Sequence, residues 1–594
     1  MVALSLSNFG GMIPAVDEYL LPDNQAGLSQ NAWVYSGAIE GFRAMTPVHT
    51  LVNPKARKAF RIPITYFDKD HIPDSYWLEF ENPDTDVISS PSVGDTYERF
   101  YWAAQGVTPK YNTKARIASG AAPFTLGIPA PTVAPTVSVA GGTTPTETRA
   151  YVYTWVSAYG EEGPPSPPTL QTGNASGTWN ITLTAPGAGV TTDRNIDRVR
   201  IYRTITASGG GTTYYFVAEQ AVATTTYADM IPTTDVAANN TLESLFYEPP
   251  PADLKGIIAM PNGIVAGFRA NEVWFCQPYL PHAWPSTYTL AVENEIVGLG
   301  VVGQTLIVCT TGSPYAISGV NPSSMTQSRL AFSEPCLSRG SIVSTPVGVA
   351  YASPNGVAVA VPGQVQVITR NLITKDLWLD ADNYLFVPSL RAATLNGGYY
   401  CWGSVMPGCF DPTAFDTANF QQDDFTGSYR GAFIDLSNQR VSFTKLFNDS
   451  PTFNCYTDTW TGETFVIRDG KVEWLDIGPT RTRAPFVWRS KTLTMPNKRN
   501  LEALRVWFDT FPDSPELNPV RNTALVQTLA DDQYGLVRVY ADDRLVMTRE
   551  LRTDGEFMRT PSGFKATYWK VEIEARVKIT SLEMATVAKE LANV

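Results

Sequence analysis

Three stretches decide the fold: Gly256-IIAMPNGIVAGFRANEVW-Phe275, Gly298-LGVVGQTLIVCTTGSPYA-Ile317 and Gly340-SIVSTPVGVAYASPNGVAVA-Val361. They begin about 42 residues apart, the period expected of four-stranded propeller blades. Each breaks short apolar runs with a turn. Asn262-Gly263, Gly303-Gln304, Asn355-Gly356, Pro362-Gly363, Asn396-Gly397 and Asp469-Gly470 supply that turn chemistry, because Gly and Asn accept the positive φ at which a hairpin reverses. Gly398-YYCWGS, Gly431-AFIDLSNQRVSF and Glu463-TFVIRDGKVEWL look like further hairpins of the same kind. The repeat weakens after Arg370, so a β-solenoid or an irregular sandwich stays open as the competing arrangement for 246–477.

Working outward from the repeat, the preceding 128–245 opens in a Pro/Thr/Gly-rich lead-in and continues with Arg149-AYVYTWVSAYGEEGPPSPP, Ile196-DRVRIYRT and TTYYFVAE. Tyr151, Tyr153 and Trp155 alternate, as do Val199, Ile201 and Arg203, and Tyr215 and Val217, which is the period of strands. This spacing predicts a sandwich of about 100 residues, and the strand pattern resembles an immunoglobulin or fibronectin III module inserted in the chain. Residues 1–127 mix turns with aromatic strands such as Ser75-YWLEF and Arg99-FYWAA, an N-terminal β region contributing to the core or platform. Residues 478–594 read as a C-terminal β domain, with Asp542-Asp543 at a hairpin turn and Asn522-TALVQTLADDQ as its clearest helix candidate. The expected fold class is therefore mainly β and multidomain, a propeller-like core with an inserted sandwich and a C-terminal β domain.

Composition agrees. A chain of 594 residues with 44 Gly, 44 Pro and 17% charged residues suits several cores built of short strands and tight turns. Between Leu254 and Arg370 only nine residues are charged, which predicts that much of this region is covered by neighbouring domains or subunits. Net charge is −12, which argues against an overall attraction to nucleic acid. The first residues lack a basic segment followed by an unbroken apolar one, and no apolar run approaches the ~18–20 residues of a membrane span. The expectation is a chain made in the cytoplasm with no integral membrane segment.

No constellation points to chemistry. The six cysteines, Cys276, Cys309, Cys336, Cys401, Cys409 and Cys455, form no CxxC pair and read as buried free thiols. His49, His71 and His282 stand apart, and no GxSxG elbow or GxxxxGK[ST] loop occurs. Asp68, Asp70 and Asp74 lack the Gly and Glu of a calcium loop. Asp423-Asp424, Asp531-Asp532 and Asp542-Asp543 are poor glycosidase pairs, since neighbours on a strand face opposite ways. Around Asp458, TDTWTGETF has the residue types of a sialidase Asp-box in the wrong order. No catalytic, cofactor or metal residue is assigned, and the chain is expected not to be an enzyme.

The run Asn8-FGGMIPAVDEYLLPDNQAGLSQNAWVYSGAIEGF-Arg43 resembles the opening of the tail nozzle proteins (tail tubular protein B) of short-tailed bacteriophages. The resemblance is carried by Gly10-Gly11, Pro14, Leu21-Pro22, Gln30-Asn31, Gly37 and Gly41-Phe42-Arg43 in order. It continues through GSPYAISG and PSGFKATYWKVEIEA, and so covers most of the chain. It implies a homohexamer at the distal end of the virion tail, joined to the tail adaptor protein and to tail fibres. It also implies that viral DNA passes through an acidic lumen without sequence-specific binding. Asp411-PTAFDTANFQQDD and Asp513-SPELN are candidate constriction or docking loops. The rival expectation is a propeller-type receptor-binding or polysaccharide-degrading tail protein.

Overall fold

The computed structural model describes residues 3–591 apart from 36, 44, 65–73, 144–145, 206–212, 380–386, 404–428, 435–442, 449–451, 476–482 and 511–532. The protein is mainly β and multidomain, and its longest helix among the described residues is the six-residue Ala188–Asp193. Two compact units are formed, one from Asp84–Ser333 and the other from Met1–Pro83 together with Glu334–Val594. Residues 1–127 and 246–477 are thus each shared between units.

In the Asp84–Ser333 unit, the repeat becomes antiparallel four-stranded meanders. One runs through Lys255–Ala259, Val265–Arg269, Glu272–Phe275 and Thr289–Ala291, the next through Ile296–Val302, Thr305–Thr310, Tyr315–Ser318 and Thr326–Arg329. Each strand pairs with its sequence neighbour, which is the blade pattern the period announced. A further four-stranded sheet joins Asp86–Ser89, Arg99–Ala104, Val107–Thr113 and Phe124–Thr125. Phe268, Phe275, Leu306, Val308 and Ile317 fill the core shared by the two consecutive meanders.

Residues 136–229 form a two-sheet sandwich. One sheet orders Thr136–Ala140, Thr178–Thr182 and Thr226–Asp229; the other orders Thr169–Asn174, Thr146–Ser157, Ile196–Thr204 and Tyr214–Ala221. Tyr151, Tyr153, Trp179, Val199 and Ile201 meet between the sheets. Arg203 also points inward, as its place in the alternation required, and is fully buried with Asp229.

In the Met1–Pro83/Glu334–Val594 unit, the third repeat stretch forms the meander Val343–Thr345, Gly348–Ser353, Gly356–Val361 and Gln364–Val367. Thr452–Thr457, Thr464–Arg468 and Lys471–Trp474 make three strands of a four-stranded sheet, and the fourth is Thr46–Thr50 from the start of the chain. A ten-stranded sheet continues Leu390–Leu395, Gly398–Gly403, Tyr429–Ile434 and Phe443–Asn448 into Ala26–Gln30, then Phe486–Ser490, Ala566–Ala575, Gly535–Ala541 and the edge strand Arg544–Glu550. A second sheet pairs Lys578–Ala585 with Ala3–Leu6, Ala38–Gly41 and Ala503–Asp509.

The turn residues behave as their chemistry dictates: Asn262, Gly303, Asn396, Gly397, Asp469, Gly470, Asp542 and Asp543 all have positive φ between paired strands. The helix candidate at 522–533 lies outside the described residues except for Gln533.

Candidate functional site

The opening run is threaded through the last strands. Ala3–Leu6 runs antiparallel to Leu582–Ala585, and Ala26–Gln30 antiparallel to Val487–Ser490. Close packing explains its glycines. A Cβ on Gly41 would sit 2.0 Å from the Ala484 carbonyl oxygen, and Gly37 has φ +87°. Phe42 is buried between Trp33, stacked at 6.1 Å, and Phe433, edge-on at 5.5 Å.

Between Met12 and Ala26 the run leaves the sheet and makes one short turn, Glu18–Leu20. The carboxylate of Glu18 holds it down, accepting from Thr492 Oγ1 at 2.9 Å and pairing with Lys570 Nζ at 3.1 Å and Arg489 at 3.7 Å. Lys491 adds a second tie, donating to the Leu21 carbonyl at 2.7 Å and pairing with Asp23 at 2.6 Å. Burial opposes the charge of Lys570, but Asp543 and Glu18 more than offset it, so its pKa is raised.

With its acid fixed, the turn presents its next two side chains outward, Tyr19 at 57% exposure and Leu20 at 75%. Tyr19 meets the ring of Tyr568 edge-on at 5.6 Å. Tyr568 shares its sheet face with Lys570, which lies opposite Tyr540, which lies opposite Leu545. Tyr568 is 40% and Leu545 48% exposed, so Tyr19, Tyr568 and Leu545 put apolar surface on one face of the ten-stranded sheet. Beside Tyr19 is a cavity of about 230 Å3 walled by Leu4, Leu493, Met495, Leu501 and Met584 on one hand and by Asp23, Lys491, Thr492 and Thr494 on the other. This combination of a clamped turn, exposed aromatic and aliphatic groups and a free strand edge is suited to holding a protein surface.

The other unit carries a polar joint. Arg99 pairs with Asp95 at 2.9 Å and with Glu161 at 2.8 Å, tying the Arg99–Ala104 strand to the sandwich loop. The adjacent Glu162 accepts from Thr154 at 2.6 Å and Tyr202 at 2.8 Å and pairs with Arg200 at 2.6 Å. His282 is buried against this loop, and burial lowers its pKa. Glu162, Arg200, Tyr202, Phe216, Glu219 and Glu243 line an open groove of about 440 Å3. Arg200 pairs with both Glu162 and Glu219, and these carboxylates are in turn held by Thr154, Tyr202 and Arg198, so the groove lining is an internally paired network.

Among the residues weighed for chemistry, Asp458 is a structural acid: it pairs with Arg61 at 2.6 Å and accepts from Thr461. His49 bonds Glu79 at 2.8 Å and stacks on Trp77. Asp542, in the turn after Gly535–Ala541, accepts from the Thr567 and Tyr568 amides of the neighbouring strand Ala566–Ala575. Cys276, Cys309, Cys336, Cys401 and Cys455 are free and buried. No three His, Cys, Asp or Glu gather as metal ligands among the described residues, and no described helix is long and apolar enough to cross a membrane. His71, Cys409, Asp68, Asp70, Asp423-Asp424, Asp531-Asp532 and the loops 411–424 and 513–518 lie outside the described residues. The turn Glu18–Leu20 was not singled out by sequence reasoning beyond its membership of the opening run, since a Tyr-Leu-Leu triplet is also what a buried strand contains.

No family model and no curated protein matches the chain. Among solved structures, it is similar to BBS1N in complex with ARL6DN at 9% identity and TM-score 0.26, over 70% of this chain and 96% of that one. The N-terminal domain of Nup159 gives 10% identity and TM-score 0.23, over 46% and 86% of the respective chains. The fold assignment rests on the strand pairings above, and these likenesses add no argument to it.

Proposed function

We propose that the chain is a structural subunit of the tail nozzle of a short-tailed bacteriophage. It forms a homohexameric ring at the distal tail that guides and gates DNA ejection and helps dock fibres. The observation that carries this reading is the ordered match of Asn8–Arg43 to the opening of that family. What supports it further is the part those residues play: Gly37, Gly41 and Phe42 sit where a turn, a close strand contact and a core require them. A resemblance in this run is therefore a resemblance in how the two ends of the chain are joined.

Charge is unevenly distributed in a way that suits a conduit. Residues 478–594 hold 18 Lys and Arg against 15 Asp and Glu, whereas residues 1–477 hold 27 against 42. The carboxylates that keep DNA from adhering to an acidic lumen are in this reading drawn from the first 477 residues. The test is electron microscopy and mass measurement of the chain mixed with its tail adaptor. A sixfold ring with a central hole is expected; a monomer at every mixing ratio would refute the reading.

A further inference from the structure

The groove of about 440 Å3 lies on the outer side of the sandwich at 136–229. Val199 and Ile201 point into the sandwich core, so Arg200 and Tyr202, which alternate with them, point outward. Glu219 lies opposite Arg200 and Phe216 opposite Tyr202, the two rings meeting edge-on at 5.8 Å. Pairing fixes this floor before anything binds, which lowers the ordering cost of a ligand. Arg200 Nη1 meets Glu162 at 2.6 Å and its Nε meets Glu219 at 2.8 Å, while Arg198 holds the other oxygen of Glu219 at 2.9 Å. Nη2 of Arg200 has no partner among the described residues and is the donor the floor keeps for a ligand.

The opposite wall is built the other way round, with its backbone bonded and its side chains open. Residues 239–242 lie along the edge strand Tyr214–Ala221. The Phe216 amide donates to the Asn240 carbonyl at 2.8 Å, the Leu242 amide to the Tyr214 carbonyl at 2.9 Å, and Asn239 Nδ2 to the Phe216 carbonyl at 2.8 Å. Asn240, Thr241 and Glu243 are exposed, line the groove, and make no side-chain hydrogen bond or ion pair among the described residues. The cleft, of a size usual for small ligands, thus sets a guanidinium edge and an aromatic ring against an amide, a hydroxyl and a carboxylate.

These groups select by chemistry. A phosphate or an acidic chain meets Glu162, Glu219 and Glu243 against the one guanidinium of the lining, Arg200. A cationic group finds two of those carboxylates already turned to Arg200, with that guanidinium in the middle of the floor. An extended peptide finds no backbone edge to extend, because residues 239–242 already lie on the outer side of Tyr214–Ala221. A neutral polyhydroxylated ring fits. Each hydroxyl both donates and accepts, which matches a carboxylate and an amide oxygen beside a guanidinium and an amide N–H, and the C–H faces of such a ring pack on an aromatic group.

We propose that this groove binds a neutral saccharide, with Arg200, Asn240, Thr241 and Glu243 hydrogen-bonding its hydroxyls and Phe216 packing on a ring face. The inference concerns the inserted sandwich alone and does not rest on the nozzle reading, so either can fail without the other.

The test offers the full chain a panel of hexasaccharides: neutral ones of glucose, mannose, galactose and N-acetylglucosamine, an acidic one of galacturonic acid and a cationic one of glucosamine. Saturation-transfer NMR detects binding and calorimetry gives the affinity. At least one neutral hexamer should bind, with the same affinity at ~0.05 M and ~0.5 M salt, because the ligand carries no charge to be screened. Asn240→Ala/Glu243→Ala should weaken that binding by about tenfold or more, since it removes two hydrogen-bonding groups, one of them charged. Thr241→Trp, which fills the groove from an exposed position, should abolish it. The three positions are exposed, so thermal melts of both variants should match wild type and separate lost binding from lost fold. No binding of any neutral hexamer, tighter binding of the acidic or cationic one, or binding unchanged in both variants would overturn the proposal. A sixfold ring with the adaptor stays the expected result of the nozzle reading in each of these cases.

Discussion

Replacing Gly41 by Ala tests whether the residues that carry the family resemblance do so by packing. The new Cβ would meet the Ala484 carbonyl oxygen at 2.0 Å, where real contacts stay beyond 3.0 Å, so the strands must part by about 1 Å. That carries the Ala484 amide, now 2.7 Å from the Phe42 carbonyl, out of hydrogen-bond range. Overpacking costs about 1–3 kcal/mol. The lost hydrogen bond adds roughly 1 kcal/mol. Reduced backbone freedom in the unfolded chain returns about 0.5 kcal/mol. The net loss is about 1.5–3.5 kcal/mol. A chain of several domains has no single unfolding free energy, so the assay is native-state hydrogen exchange read amide by amide. Protection should fall around Ala38–Gly41, Ala484 and Lys578–Ala585 and stay unchanged in the sandwich at 136–229. Protection within about 0.5 kcal/mol of wild type at Ala484 would refute the reasoning.

In the sandwich, Asp229→Asn leaves Arg203 and Arg149 without the carboxylate that Arg203 meets at 2.9 Å, Arg149 at 3.4 Å and Tyr151 at 2.7 Å. A fully buried charge is stranded, so exchange protection in Ile196–Thr204 should drop by about 3–5 kcal/mol, whereas Glu219→Gln, at a partly exposed pair, should cost about 1 kcal/mol or less. At the joint, burial lowers the pKa of His282, with Glu161, Glu162, Arg99 and the ring of Tyr247 around it. Its folded pKa is depressed, so below the ordinary 6.5 the unfolded chain takes up a proton that the fold refuses, and stability falls with pH from there. Asp95 adds a second loss below its ordinary 3.8, because burial raises its pKa but the Arg99 contacts lower it further. Protection of Arg99–Ala104 should therefore decline between about pH 7 and about pH 5 in the wild type and not in His282→Asn, as hydrogen exchange corrected for intrinsic rates would show. Burial pushes the Cys276 and Cys455 thiols up to about 12, so neither should react with a thiol reagent near neutral pH without denaturant, as a mass spectrum of the labelled chain would reveal.

Local chemistry was legible wherever it was local. Asn396-Gly397 and Asp469-Gly470 announce their hairpins because positive φ at two successive positions is a demand that few residues meet. The inward Arg203 was visible too, as a charge at a core position of the Val199-Ile201 alternation, though not its partner Asp229, which is 26 residues further along. What could not be read is pairing at long range. Thr46–Thr50 completes a sheet whose other strands begin at Thr452, and nothing in either segment encodes the other. The exposed turn at Glu18–Leu20 was hidden for the same reason. Tyr19 and Leu20 are exposed only because Glu18 is anchored by Arg489, Thr492 and Lys570, residues about 470 positions or more away.

That separation orders assembly in time. Ala3–Leu6, Ala26–Gln30 and Thr46–Thr50 find their partners at Leu582–Ala585, Val487–Ser490 and Lys471–Trp474, so the opening run has no sheet to join until most of the chain has been made. The loop-closure cost of such pairings grows only as the logarithm of length, so they are affordable once the partners exist and absent before. The Glu18–Leu20 turn is then among the last features to set, and its exposed Tyr19 and Leu20 are displayed only after the interior has closed. This lowers the danger of association between incomplete chains, to which exposed apolar groups and open edges otherwise lead. Cutting the Glu18 anchor isolates the effect. Glu18→Gln with Lys570→Ala removes the charge contacts, leaves every strand pairing in place, and should loosen the turn without unfolding the sheet. Exchange at Leu20, whose amide donates to the Asp17 carbonyl, should quicken while Val487–Ser490 stays protected. Unchanged exchange at Leu20 in that variant would mean that the turn needs no anchoring by Glu18, and its late setting would not follow from the distant residues that hold it.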